Sequence, residues 1–526
     1  MKLFCLVYVS IFMLLVAGCK KNDIGRDNGK TTLKNGSGKS SPILPATAPQ
    51  LLSFKINGAS CAYDSLSVSY YYPVAVGTSL ASYTVNYDTT ATTAIYIDNV
   101  RIKNGAIVNS VITTNDDLII TAVNAVNVTT TYHLIVTGMP IVMLTAGNEI
   151  GDNDINAKFD LINPDYQAQH SKLEIASNIT IAIRGGTSRA YPKKNYKVHL
   201  VDDSNNESDV SLLGLRSDNS WILDAMYIDQ SRMRNRLCTD LWNTFNNVPY
   251  IDQEPTALNG TRGYMTEVFL NGKYHGIYCL TEKLDRKQLK IKKQYGDMYK
   301  ADYWTNETDF QGISPFDNNS GTWGGWELEY PDLGDTPAPD WSYLYNEVNY
   351  IANATDDDFS KQISSKVDIN NMVDYFIFIN ILDATDNENK NTFFSFYDSR
   401  NESRFFYSPW DLDGTMGRNA GGNLKANEII GPANNNLLQR LMNLNVSNFK
   451  GLIKTRWNQL KNNQLSKDAV AARIEVYRKL LNNTNAFARE HRAWNNITQD
   501  VNTEAAYMSS WYSAQYDQFD NYVNGL

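Results

Sequence analysis

The chain has 526 residues, 42% of them hydrophobic and 20% charged, and a formal net charge of -9 at neutral pH. A single core stops growing near roughly 250 to 300 residues, so two or three domains are expected. The acidic balance argues against a nucleic-acid binder, which needs a basic face, and leaves room only for a local basic patch; the five histidines, His133, His170, His199, His275 and His491, lack zinc-ligand spacing.

In chain order, Lys2 precedes an apolar run from Leu3 to Ala17 that ends in Val16-Ala17-Gly18-Cys19. The run is shorter than the roughly 20 residues that span a bilayer, and small residues precede the cysteine. Residues 1–18 therefore read as a lipoprotein signal peptide. Cleavage before Cys19 predicts an exported protein, lipid-anchored to a bacterial membrane at the outer membrane or cell surface. Residues 19–41, rich in Lys, Asn, Gly and Ser, cannot bury a core and read as a flexible tether. Cys61, Cys238 and Cys279 remain, an odd number in apolar contexts, expected as buried free thiols.

Residues 42–138 alternate in short runs, Leu51 to Phe54, Leu66 to Tyr72, Tyr83 to Tyr87, Asp117 to Val123 and Thr130 to Val136. That pattern predicts an immunoglobulin-like β-sandwich, a spacer or binding module without an acid pair or glycine-rich loop. A second domain, 139–526, opens on a buried strand, Met139 to Leu144, and continues in strands at Ile179 to Arg184, Tyr196 to Val201 and Trp221 to Leu223. Met233, Leu237, Leu241, Trp242 and Phe245 then fall on one helical face. Asn271-Gly272 between two apolar runs predicts a tight hairpin. Ile369 to Leu382 is apolar almost all round and predicts a buried helix capped by Asp368. The polar segment Asp383 to Asn391 follows, then two strands, Thr392 to Tyr397 and Phe405 to Trp410, with Asp411 at their end, and helical stripes through Val470, Ile474, Tyr477 and Leu481 and through Met508, Trp511, Tyr512, Gln515 and Phe519.

An acid at 386, an Asn five residues later, a strand pair and a second acid just beyond it are the parts a kinase-type phosphoryl-transfer site needs. One Asp takes the proton of the attacking hydroxyl, while the Asn and the later Asp hold metal against phosphates. Asp and Asn alone at that interval are common in turns and caps. Pro409-Trp410-Asp411-Leu412-Asp413-Gly414 strengthens the case.

This last segment, followed by Gly417 and preceded by Thr385-Asp386-Asn387 and Lys390-Asn391, resembles the spore-coat protein H (CotH) kinase family. Arg184-Gly185-Gly186-Thr187-Ser188-Arg189, Pro192-Lys193-Lys194-Asn195-Tyr196-Lys197, Arg234-Asn235, the run Phe269 to Tyr278, Thr281-Glu282-Lys283 and Asp285-Arg286 fall in the family's order, so that the resemblance covers roughly 140 to 420. It implies an α+β, atypical protein-kinase-like domain that uses ATP and Mg2+ or Mn2+ to phosphorylate secreted or surface proteins on Ser or Thr. On that basis Asp386 is the catalytic acid, with Asp383 as its rival, and Asp411 is the principal metal ligand, supported by Asn391 and Asp413. For the nucleotide, Lys197 and Glu282 offer the lysine–glutamate pair that orients phosphates in kinases. Lys194 competes with Lys197, and strand alternation lets only one point inward; Lys197 is favoured. Arg184, Arg189 and Arg234 are further phosphate candidates.

The ordinary kinase signature is missing: there is no Gly-x-Gly-x-x-Gly loop, no Val-Ala-Ile-Lys strand and no His-Arg-Asp triplet. Two other functions remain open. One is a catalytically silent surface protein that binds a glycan or protein ligand through Tyr and Trp, with calcium in its acidic loops. The other is a glycosidase with Asp386 and Asp411 as its acid pair.

Overall fold

A computed structural model describes residues 48–332, 338–401 and 404–526. The predicted signal peptide, Cys19 and the tether lie outside these described residues. The fold is α+β, strand-rich in its first half and helical in its second.

Two larger sheets and a two-stranded pair, Ser79–Leu80 with Ile112–Thr113, form the N-terminal region. Gln50–Ile56 pairs with Ala59–Ser60 and Tyr83–Thr90, which pairs in turn with Ala106–Val108. The other sheet runs in the order Ala62–Asp64, Ser69–Pro73, Thr129–Thr137, Asp117–Val123, Ala94–Ile97, Val100–Ile102. Phe54 and Val85 from the first and Tyr70, Ile120 and Leu134 from the second share one core. Burying alternate residues of both sheets against each other is what the period-two text requires. Ser69–Pro73 and Thr129–Thr137 pair in parallel, a long-range pairing that local alternation does not reveal. The same core takes in Ile141, Ile162 and Phe269 from the next sheet, so the two regions are joined by packing rather than by a linker.

That next sheet is a closed seven-stranded barrel, in the order Ile141–Ala146, Ile155–Ile162, Glu174–Arg184, Asn195–Val201, Ser220–Asp224, Lys273–Glu282, Gly263–Leu270. Closure leaves no unpaired edge, and Phe159, Ile181, Val198, Trp221, Leu223 and Leu280 fill it. Asn271 and Gly272 both have positive φ, 50° and 69°, as a two-residue hairpin turn of this hand demands.

A second, five-stranded sheet runs Thr322–Trp323, Trp326–Tyr330, Asp297–Ala301, Thr392–Phe396, Phe406–Pro409. Against it lies the Ile369–Leu382 helix, whose Asp368 side chain accepts the Asn371 amide as predicted. With the C-terminal helices Lys467–Asn483, Ala486–Ala493 and Val501–Gly525 it belongs to the largest core. Cys61, Cys238 and Cys279 are free and buried. Among the described residues no helix is long and apolar enough to cross a membrane.

Candidate active site

The Thr392–Phe396 and Phe406–Pro409 strands pair so that Thr392 faces Pro409. Their shared end therefore sets Asn391 beside Trp410, whose amide donates to the Asn391 carbonyl at 2.9 Å. Asn391 and Asp411, one just before the first strand and one just after the second, both take the left-handed conformation, φ 50° and 56°. Asn and Asp tolerate this region better than other side-chain-bearing residues. Asn387 closes the arrangement: its buried amide donates to the carbonyls of Asn391 at 2.8 Å and Trp410 at 2.7 Å, tying the segment after the helix to the hairpin end.

Asp386 and Asn391 meet directly. Asn391 Nδ2 donates to Asp386 Oδ2 at 2.8 Å, and Lys390 Nζ reaches the same oxygen at 3.3 Å. Both bonds fall on Oδ2 of Asp386. These groups open into a cavity of about 660 Å³ lined also by Arg184, Asp224, Lys300, Trp410, Asp411 and Asp413. The volume suits a nucleotide-sized ligand.

The cavity's carboxylates are crowded, and around Asp411 the charges of Arg184 and Lys300 offset the repulsion only in part. Burial, then the charges of Asp224 and Asp386, push Asp411 up to about 6. Asp413 is held well above the ordinary carboxylate range by burial and by Asp411. Neither side chain makes a hydrogen bond or ion pair among the described residues, whereas neighbouring Asp224 accepts from Asn235 and from the Met226 amide. Such a pair fits a divalent cation, whose charge would lower both acids. No group of three or more His, Cys, Asp or Glu side chains is arranged as a metal cage among the described residues. Magnesium needs none, because it takes one or two carboxylates and completes its shell with water and phosphate oxygens.

The CotH kinase protein family model matches residues 181–522. The chain belongs to the CotH kinase family. A curated relative, the inner spore coat protein H of Bacillus subtilis (strain 168), is 24% identical over 256 residues, 48% of this chain. The match spans 63% of that relative's length. The family match begins inside the Glu174–Arg184 strand and runs into the last helix, so it takes in the C-terminal helices and leaves the N-terminal sheets outside.

Within this CotH domain the sequence-based candidates separate. Asp386, Asn391, Asp411, Asp413 and Arg184 line one cavity. Arg184 also lies over the Trp410 ring at 5.6 Å. Asp383 does not line the cavity: it is the buried left-handed residue ending the Ile369–Leu382 helix, and Lys425 holds its Oδ1 at 2.7 Å. The expected Lys197–Glu282 pair is not formed. Tyr196 and Val198 fill the barrel, which turns Lys197 outward, where Asp154 takes its ammonium at 2.8 Å. Lys194 donates to the Arg189 carbonyl. Glu282 is buried and receives Arg262 at 2.7 Å and the Arg216 amide. Arg234 is also withdrawn from phosphate: it is fully buried, paired with Asp229 at 2.7 Å and Glu504 at 3.1 Å, and donates to the Thr415 carbonyl just past Asp413. Its place is to hold that turn. Arg189 pairs with Asp152 at 3.3 Å.

Lys300 and Asp224 carry no role in the sequence-based reading, whereas the Arg184–Ser188 turn is marked there by its Arg-Gly-Gly-Thr-Ser run. Lys300 sits in the Asp297–Ala301 strand between Asp302 at 2.9 Å and Glu327 at 3.1 Å, and lines the cavity. Gly185 and Gly186 line the cavity as well. Gly185 has φ 106°, and a β-carbon there would lie 2.1 Å from Ser188 Oγ, so the turn can close only with glycine.

Proposed function

We propose that the protein is an extracytoplasmic, lipid-anchored atypical protein kinase that transfers the γ-phosphate of ATP to Ser or Thr of secreted or surface proteins. The observation that carries the reading is the juxtaposition of Asp386, hydrogen-bonded to Asn391, with the unpaired acids Asp411 and Asp413 in one nucleotide-sized cavity. Asp386 takes the proton of the substrate hydroxyl as its oxygen bonds to the γ-phosphorus, and the bond from that phosphorus to the β–γ bridging oxygen breaks, releasing ADP. Asn391 fixes the Asp386 carboxylate for this proton transfer. Arg184, Lys300 and Lys390 supply positive charge to phosphate oxygens, and the Trp410 face suits a stacked base. Asp411, Asp413 and the Asn391 oxygen would hold Mg2+ or Mn2+, which neutralises phosphate charge when bound.

Export and anchoring rest on the leader sequence and Cys19, and the N-terminal sheets are proposed as an immunoglobulin-like spacer that holds the kinase domain off the membrane. The full chain, purified in detergent and incubated with ATP and Mg2+ or Mn2+, should gain phosphate on itself or on co-expressed exported proteins by mass spectrometry. Folded Asp386→Ala and Asp411→Ala variants should not. Equal labelling of all three would remove the kinase reading, and ATP-independent glycan binding would favour a surface binding protein instead. A Cys19→Ala variant should leave the membrane fraction; its retention there would argue against lipidation.

A further inference from the structure

Arg234 and Asn235 open the helix Arg234–Trp242, which grips the turn after the cavity acids. Arg234 donates to the Thr415 carbonyl at 3.1 Å, and Cys238, one turn further on, meets the Thr415 hydroxyl at 3.3 Å. Asn235 reaches the acids themselves, lining the cavity with Asp224, Asp411 and Asp413. Its carboxamide oxygen accepts at 3.1 Å from the amide of Leu412, the residue between the two acids. Its nitrogen donates to Asp224 Oδ2 at 2.8 Å, while the Met226 amide donates to Asp224 Oδ1 at 3.0 Å. The series of bonds continues into the barrel: the Ala225 amide donates to the Asn195 side-chain oxygen at 2.6 Å, and Asn195 pairs across the sheet with Arg184, where the glycine turn begins.

Only a carboxamide suits this position. Leu412 presents a donor and Asp224 an acceptor, so the side chain between them must accept at one atom and donate at another. An aspartate could not donate and would set a second charge against Asp224; an apolar side chain would serve neither partner. The segment needs such a hold, because Asp411 and Asp413 repel each other and Asp411 has a left-handed backbone, φ 56°. We propose that Asn235 is a positioning residue: with Asp224 as its anchor, it clamps the Asp411–Asp413 segment to the end of the barrel strand Ser220–Asp224 and keeps both acids in place for a divalent cation. The inference rests on the reading of Asp411 and Asp413 as metal acids, and not on phosphate transfer. Partners that orient metal ligands in this way are worth roughly 10- to 100-fold in metal affinity.

The test is titration of the full chain in detergent with Mn2+ alone, following free Mn2+ by its electron paramagnetic resonance signal, so that no activity is needed. Asn235→Ala places a favourable helix former in the first turn; it should keep the circular dichroism of the unaltered chain and weaken Mn2+ binding about tenfold or more. Asn235→Ser, whose hydroxyl is too short to span both partners, should lose affinity alike and replaces the alanine variant if that one does not fold. Asp224→Ala should match Asn235→Ala, and the double variant should bind no more than about twofold weaker than either, because both changes break one bridge. Unchanged Mn2+ affinity in the folded Asn235 variants would overturn the clamp. Losses that multiply in the double variant would overturn it too, making Asp224 an independent metal ligand. An unaltered chain that binds no Mn2+ would overturn the metal reading together with the clamp, a result distinct from an intact metal site indifferent to Asn235.

Discussion

Two regions of this protein withdraw charge from water, and they do so in opposite ways. Behind the barrel, Glu490 of the Ala486–Ala493 helix is fully buried and fully partnered: Lys193 and Arg232 each meet it at 2.8 Å, and the Ile277 amide donates at 2.7 Å. A second closed set joins Asp229, Arg234, Glu504 and Arg418. In the cavity, by contrast, Asp411 and Asp413 repel each other and form no ion pair among the described residues, with Arg184 and Lys300 offsetting the charge of Asp411 only in part. The first arrangement is complete as the chain folds; the second is the one that the proposed metal and nucleotide would complete. The closed networks fasten the C-terminal helices to the barrel and to the turn after Asp413.

The comparison predicts opposite mutational signatures. The largest effect belongs to the cavity. Asp386→Ala should lower phosphotransfer by roughly 10²- to 10⁴-fold, the usual worth of a positioned proton acceptor, with the unfolding midpoint nearly unchanged. Next is the closed network. Glu490→Ala strands two buried cations and should cost about 3–5 kcal/mol of stability by denaturant unfolding. Should Glu490→Ala spare stability, or Asp386→Ala unfold the chain, the division between the regions would fail.

A smaller effect separates them by pH. Asp411 stands at about 6 in the folded chain against 3.8 ordinarily, so the folded state holds more protons than the unfolded one between those values. Stability must therefore fall as pH rises from about 4 to about 6. The loss should be about 1–2 kcal/mol, taking one pKa unit as 1.4 kcal/mol and discounting for solvent in the cavity. Asp411→Asn should flatten this slope, and Mg2+ should flatten it in the unaltered chain. A metal-free protein equally stable at pH 4.5 and pH 7 would show that the cavity acids are relieved by some other partner.

How much of this was legible in the sequence follows the same division. Features set by neighbours in the chain were readable: the Asp368-capped helix, the Asn271-Gly272 turn, and the hairpin end that joins Asn391 to Asp411. Asp383 and Asp386 were not separable, because only the fold shows that Asp386 lines the cavity while the distant Lys425 holds Asp383 away from it. Arg234 read as a phosphate ligand because its acid Glu504 lies 270 residues away. Lys300 went unread because its strand is recognised as central only when Thr392–Phe396 and Trp326–Tyr330 pair on either side.

Lys197 gives the smallest and most pointed prediction. Alternation correctly put Tyr196 and Val198 on one face and Lys197 on the other, but the filled interior belongs to the barrel, so the opposite face is not a nucleotide pocket by default. Lys197 does share that outer face with Ile222 and Thr281, its neighbours across the sheet, which line the cavity. Its ammonium turns instead to Asp154, and both side chains are well exposed, 38% and 44%. An ion pair of that kind is worth about 0–1 kcal/mol. Lys197→Ala should accordingly leave ATP affinity and phosphotransfer within about twofold, while Lys300→Ala, at a half-enclosed position among Asp302 and Glu327, should weaken nucleotide binding about tenfold or more, the loss of one charge-assisted phosphate contact. Calorimetric titration of both variants with a non-hydrolysable ATP analogue checks the pair. A large loss in Lys197→Ala with none in Lys300→Ala would mean that ligand binding pulls Lys197 away from Asp154 and restores the lysine–glutamate arrangement of ordinary kinases.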